Sequence, residues 1–155
     1  DAIIHINLGQ NFSSCHQNAK LAAEEFDNVY VVDSENLSTG MGHVVLEAAV
    51  MAEKNMDPKE IVEKLKELTP KVEASFVINT LDYLKMGGRC SAIQAFSANL
   101  LNIKPSIEVI DGRMDVGKKY RGRIEKVLPK YVADRLKDRD DITPHRIFLT
   151  HSGCS

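Results

Sequence analysis

Residues 28–33 read Asn-Val-Tyr-Val-Val-Asp, a short β-branched run with little alternation of apolar and polar positions. Such a strand is covered on both faces, which selects a parallel sheet with helices packed on either side. The flanking sequence supplies the rest of that arrangement. Ala2-Ile3-Ile4-His5-Ile6 is a second short strand. Between the two, Cys15, Ala19, Ala22, Ala23 and Phe26 recur at helical spacing and define an expected buried stripe. After Asp33, a polar loop from Ser34 to Thr39 feeds a helix expected over His43 to Lys54, apolar nearly all round and therefore expected to be buried.

Asp57-Pro58-Lys59-Glu60 is a helix start, with Asp as N-cap, Pro at the first position and Glu placed to cap back. Ile61, Val62, Leu65 and Leu68 then form one stripe, Glu60 and Lys64 pair on the wet side, and Thr69-Pro70 ends the helix. Strand, helix, strand, helix is the order of a parallel α/β sheet.

Beyond residue 70 the pattern changes. Ala74 to Ile78 is a strand, Thr80 to Met86 a short helix broken by Gly87-Gly88, and Ser91 to Leu101 another apolar helix. Ile103 to Ile110 and Met114 to Tyr120 flank Asp111-Gly112-Arg113, a turn able to close an antiparallel hairpin. Ile124, Val127, Leu128, Tyr131, Val132 and Leu136 mark a last helix, which Pro129 should kink. A charged linker, Asp138 to Pro144, precedes an expected strand over Arg146 to His151. The fold class expected is α/β: a parallel sheet segment with helices, then a mixed sheet with a hairpin. Residues 1–70 and 71–155 are expected to be parts of two different lobes. Because the sequence opens and closes inside strand runs, it is expected to be a piece of a longer protein.

Composition removes several function classes. Twenty basic against twenty-two acidic residues give a net charge of −2, whereas a general nucleic-acid binder needs a clustered cationic surplus. With 43% hydrophobic residues the chain can bury a core, so disorder is excluded. No apolar run approaches the roughly 20 residues of a membrane span. Three cysteines, Cys15, Cys90 and Cys154, make no disulfide framework and no C-x-x-C pair, which favours a reducing cytoplasm. His5, His16, His43, His145 and His151 have no metal-ligand spacing.

Four places remain where chemistry can reside. Asn11-Phe12-Ser13-Ser14-Cys15-His16 leaves a strand and enters a helix, where backbone N–H groups and the helix dipole attract anions. Ser13 or Ser14 either adds a hydroxyl donor there or simply caps the helix. Cys15 and His16, adjacent on a helix and about 100° apart, do not form a catalytic dyad. Ser34 to Gly40 is the second such loop, with Ser38 and Gly40 as nearby contacts or as plain capping residues. Lys85-Met86-Gly87-Gly88-Arg89-Cys90 either brings backbone close to a partner or is a helix C-cap. The basic run from Lys118 to Arg123 either holds a phosphate or docks a protein, or is a solvated face.

Taken in order, these places resemble the DegV family of bacterial fatty-acid-binding proteins. Phe12-Ser13-Ser14-Cys15-His16-Gln17-Asn18-Ala19 is similar to the family's Ser-Gly-Thr turn and Gln-x-Ala helix entry. Val31-Val32-Asp33-Ser34 through Ser38-Thr39-Gly40 matches its second loop. Thr80 to Arg89, followed by Leu101-Asn102-Ile103-Lys104-Pro105, is the most specific segment, and Lys119-Tyr120-Arg121 completes the series. Ser14 and Cys15 depart from the family's Gly and Thr.

The resemblance implies two lobes with a long-chain fatty acid lying between them, in a chain nearly twice this long. It implies that Ser13 binds the carboxylate, beside Ser14, Ser38 and Gly40. A threonine loop from an upstream segment and a histidine from a downstream one would complete the site. Arg89 and Arg121 would form a cationic rim or partner-docking surface; the alternative for Arg89 is that it pairs with a local carboxylate or carbonyl to brace its loop. The implied protein is a cytoplasmic carrier, not an enzyme, that presents the carboxylate to a separate kinase for phosphorylation. It needs no cofactor or metal, binds no nucleic acid, and contacts a membrane surface at most transiently. The competing readings are an enzyme subunit acting on an acyl phosphate or small acid, and a lipid-sensing regulator.

Overall fold

A computed structural model describes residues 1–91 and 103–152. The helix expected over Ser91 to Leu101 lies almost wholly outside the described residues, as does Cys154. The chain divides into two compact units, one of Asp1–Ala74 with Glu108–Met114 and one of Ser75–Ile107 with Asp115–Ser155.

In the first unit, β1 (Ile3–Asn7) and β2 (Val29–Asp33) pair in parallel, in a register that sets Ile3 beside Val29 and Asn7 beside Asp33. The pleat sends Ile4, Ile6, Tyr30 and Val32 to one face. There they meet α2 (Ser38–Glu53) and α3 (Pro58–Leu68) in a core of Val32, Val44, Ala48, Ile61, Val62, Leu65 and Val72. The opposite face of Asn7 is covered by α1 (Cys15–Ala23). Residues 29–32 therefore have helices on both faces, as their apolar run demands. α3 starts as its sequence specifies: Asp57 accepts the Lys59 N–H at 2.9 Å, Pro58 follows, and Glu60 pairs with Lys64 at 3.6 Å.

The second unit carries most of a three-stranded sheet in the order β3 (Ala74–Val77), β4 (Ile103–Ile110), β5 (Arg113–Arg121). Asp111 and Gly112 join β4 to β5 with φ of 49° and 69°. Positive φ at both central residues is what a tight hairpin turn requires, and Asp-Gly is the pair that tolerates it. The short helix α4 (Asp82–Gly87) ends on Gly88 in the left-handed conformation, φ 68°, so the glycine pair is a helix C-cap. The last helix, α5 (Ile124–Leu136), is continuous through Pro129.

The structure corrects four expectations. α2 begins at Ser38, five residues before His43, because Leu37 accepts the N–H groups of Gly40 and Met41. Nor is α2 buried all round: Val45 and Leu46 are exposed, since the sheet covers only the stripe of Gly40, Val44 and Ala48. Cys15 is exposed rather than on the buried stripe of α1, whose buried residue is His16, and Phe26 lies beyond the helix and in solvent. Finally, Arg146 to His151 is not a strand. Pro144–Arg146 is a 3₁₀ turn and the following apolar residues, Leu149 above all at 81% exposure, enter no sheet ladder.

Candidate functional site

Parallel pairing of β1 and β2 brings the two strand-to-helix loops, residues 8–14 and 34–37, to the same end of the sheet. They are braced to one another. The Gly9 N–H donates to the Asn36 carbonyl at 2.9 Å. Asp33, the last residue of β2, accepts the Gln10 N–H on both carboxylate oxygens, at 3.2 and 3.3 Å, and the Glu35 N–H at 2.9 Å. Its carboxylate is thus occupied in holding loop backbone.

Beneath the second loop, Ser34 and Asn36 are fully buried yet satisfied. The Ser34 hydroxyl donates to the Asn36 carbonyl at 3.1 Å and accepts the Asn36 N–H at 3.2 Å. The Asn36 amide donates to the Val72 carbonyl at 2.9 Å, tying the loop to the end of the first unit. Gly40 exists to admit this side chain: a Cβ there would fall 2.0 Å from Asn36 Oδ1. Gly40 is therefore buried packing in the first turn of α2, while Ser38, beside it, is exposed with φ of 48°.

The first loop delivers Ser13 and Ser14 to the N-terminus of α1. Ser14 is the N-cap residue and is exposed, but its side chain makes no capping bond. The half-buried Ser13 does more, because its hydroxyl accepts the Cys15 N–H at 3.2 Å and donates to Cys15 Sγ at 3.0 Å. A thiol sulfur is a weak acceptor, so the hydroxyl can turn its hydrogen bond to a stronger acceptor such as a carboxylate oxygen at little cost. The first N–H groups of a helix lack intrahelical acceptors and sit at the positive end of its dipole. Ser13 with the α1 N-terminus is thus suited to a monovalent organic anion.

Ser13, Ser14, Ser38 and Gly40 belong to the first unit, whereas Arg89 and Arg121 belong to the second. Arg89 folds back so that Nη1 donates to the Gly87 carbonyl at 2.6 Å, bracing its own loop. Arg121 is exposed at the end of β5, and its neighbour Arg123 lies 3.6 Å from Glu125. Among the described residues no group of three His, Cys, Asp or Glu side chains is placed to hold a metal ion, and no helix is long and apolar enough to cross a membrane.

Sequence reasoning missed Asn7 at this end of the sheet and did not foresee that His16 pairs with it. Asn7, only 6% exposed, places Oδ1 3.1 Å from Nδ1 of the buried His16. The signal available was a polar residue closing β1 on the face that α1 must cover.

The first unit is thus a parallel α/β unit with two cross-braced loops and a serine hydroxyl at a helix N-terminus. The model of the family described as "Uncharacterised protein, DegV family" matches residues 1–155, and the chain belongs to that family. A DegV domain-containing protein of Caldanaerobacter subterraneus is 34% identical over 98% of this chain and 55% of its own length. The fold is also that of a DegV lipid binding protein from Thermotoga maritima: TM-score 0.75, 28% identity, 89% of this chain and 48% of that one. A DegV family protein from Thermus thermophilus, described by its fatty-acid binding, gives a TM-score of 0.71 at 32% identity, over 88% of this chain and 50% of that one. The chain spans about half the length of the curated relatives it matches.

Proposed function

We propose that this chain is part of a carrier that binds a long-chain fatty acid between two lobes, anchors its carboxylate at Ser13 and presents it to a separate kinase. Residues 1–70 belong to one lobe and 71–155 to the other. The observation that carries the reading is the Ser13 hydroxyl at the N-terminus of α1, its proton resting on the weak acceptor Cys15 Sγ. DegV relatives of similar fold that bind lipid or fatty acid support it. The acyl tail supplies most of the affinity through burial, and the anchor supplies orientation. Ser14, Ser38 and Gly40 shape the surroundings: Ser14 and Ser38 expose hydroxyls at the same sheet end, and Gly40 fixes the loop through Asn36.

Arg89 and Arg121 act on charge at the rim. An acyl phosphate carries more charge and more acceptor oxygens than the fatty acid, and the guanidinium fork suits it. Removing both charges is expected to spare fatty-acid binding and to impair phosphorylation by the kinase. The carrier needs no metal or cofactor.

Organic extraction of the purified full-length protein followed by mass spectrometry tests the reading. A co-purifying long-chain fatty acid and no turnover in the absence of a partner are expected. Turnover of an acyl phosphate by the protein alone would replace the carrier with an enzyme subunit.

A further inference from the structure

α1 is held to the sheet by very little apolar surface. Ala19 and Ala23 are half-buried, Leu21 is exposed, and the buried residue of the helix is His16. His16 sits in the first turn, one residue after Cys15 and three after Ser13. Its ring lies against the end of β1, where Asn7 Oδ1 can only accept and His16 Nδ1 therefore donates, at 3.1 Å.

This pair is a poor choice for stability. Asn7 Nδ2 is buried with no hydrogen-bond partner, and an unmet buried donor costs free energy that an apolar pair of similar shape avoids. What the pair has, and an apolar contact lacks, is direction. Alanines alone let a helix slide and rotate on a sheet, whereas a bond from the first turn to the strand end fixes both freedoms where Ser13 and the first N–H groups are placed.

We propose that Asn7 and His16 are positioning residues for the carboxylate anchor, setting the first turn of α1 so that Ser13 Oγ and the helix N-terminus meet the acid group together. The proposal rests on the carrier reading above. Neither residue touches the ligand; each acts through the helix start.

The test compares a long-chain fatty acid with the fatty alcohol of equal length, titrated into the full-length protein freed of lipid. The alcohol reports tail burial, and the ratio of the two dissociation constants reports the anchor. The double variant Asn7→Val/His16→Phe removes the unmet donor together with the bond, so it is expected to melt at or above the wild-type temperature. It should nevertheless lose about threefold or more of the acid preference, a share of the roughly tenfold that Ser13 itself carries. His16→Gln keeps a donor in reach of Asn7 and should retain the preference, and it serves as the second probe if the double variant does not fold.

An unchanged acid-to-alcohol ratio in the folded double variant, alongside a lowered ratio in Ser13→Ala, would overturn the positioning role and leave the carrier reading intact. So would loss of the preference in a folded His16→Gln variant as complete as in Ser13→Ala. A wild-type protein that binds neither acid nor alcohol would overturn the carrier reading, and the positioning role with it.

Discussion

Among the described residues, the two units differ in what their buried side chains contribute. In the first, one apolar cluster of Val32, Val44, Ala48, Ile61, Val62, Leu65 and Val72 joins both strands to α2 and α3. In the second, the buried apolar side chains among the described residues are Cys90, Pro105, Ile107, Tyr120 and Val127, supplemented by directional ties. Tyr131 shares a hydrogen bond with Ser75 at 2.6 Å and meets the Tyr120 ring edge-on at 6.1 Å. Tyr120 and Lys118 both bond Asp134. Apolar burial tolerates small shifts and fails through cavities; directional ties fail when one partner loses its group.

The largest effect is therefore expected in the first core. Leu65 is fully buried between α3 and the sheet, and Leu65→Ala should destabilise by about 2–5 kcal/mol, read from urea unfolding. A loss no greater than that of a surface substitution would show that this cluster does not hold the unit.

Gly40→Ala comes next, at about 1–3 kcal/mol, because its Cβ collides with the Asn36 side chain and threatens the bond to Val72. Adding Asn36→Ala removes the atoms it strikes, so the double variant should lose less than the sum of the two. Simple additivity would contradict the packing role given to Gly40.

Tyr131→Phe deletes only the hydroxyl bonded to Ser75 and should cost about 0.5–1.5 kcal/mol. Thermal melting that does not register the change would reduce the directional account of the second unit to ring packing alone.

The smallest effect concerns Asp134. The Lys118 ammonium, then the Tyr120 hydroxyl, hydrogen-bond its carboxylate and hold it below the usual carboxylate range. A depressed carboxylate contributes stability above its unfolded pKa and loses it as pH falls through the folded value. Asp134→Asn should thus lower Tm slightly at neutral pH, with the gap closing in acid. A gap of equal size in strong acid would remove the charge from the explanation.

The same contrast explains what could be read from the chain beforehand. Spacing is a sufficient signal where burial decides, so the parallel unit, α3 with its Asp57 cap, and the Asp111-Gly112 hairpin were all legible. Spacing failed for Cys15 and for Arg146 to His151. Alanine-rich α1 gives almost no signal about which face is buried, and an apolar run becomes a strand only when a partner pairs with it. The start of α2 was hidden because Ser38-Thr39-Gly40 has loop composition, and its helical geometry follows from Asn36 packing on Gly40. At the candidate site, the serines at the helix start were visible as residue types. The braces by Asp33 and Asn36 and the Asn7–His16 pair join residues from 9 to 36 positions apart, which no local pattern encodes.

Titration of a long-chain fatty acid into lipid-free full-length protein, wild type against Ser13→Ala, tests the carboxylate anchor most directly. The bond lost is charge-assisted, and the account predicts affinity weakened by about tenfold or more with the melting temperature retained. An unchanged dissociation constant in the folded variant would contradict it and remove Ser13 from the site.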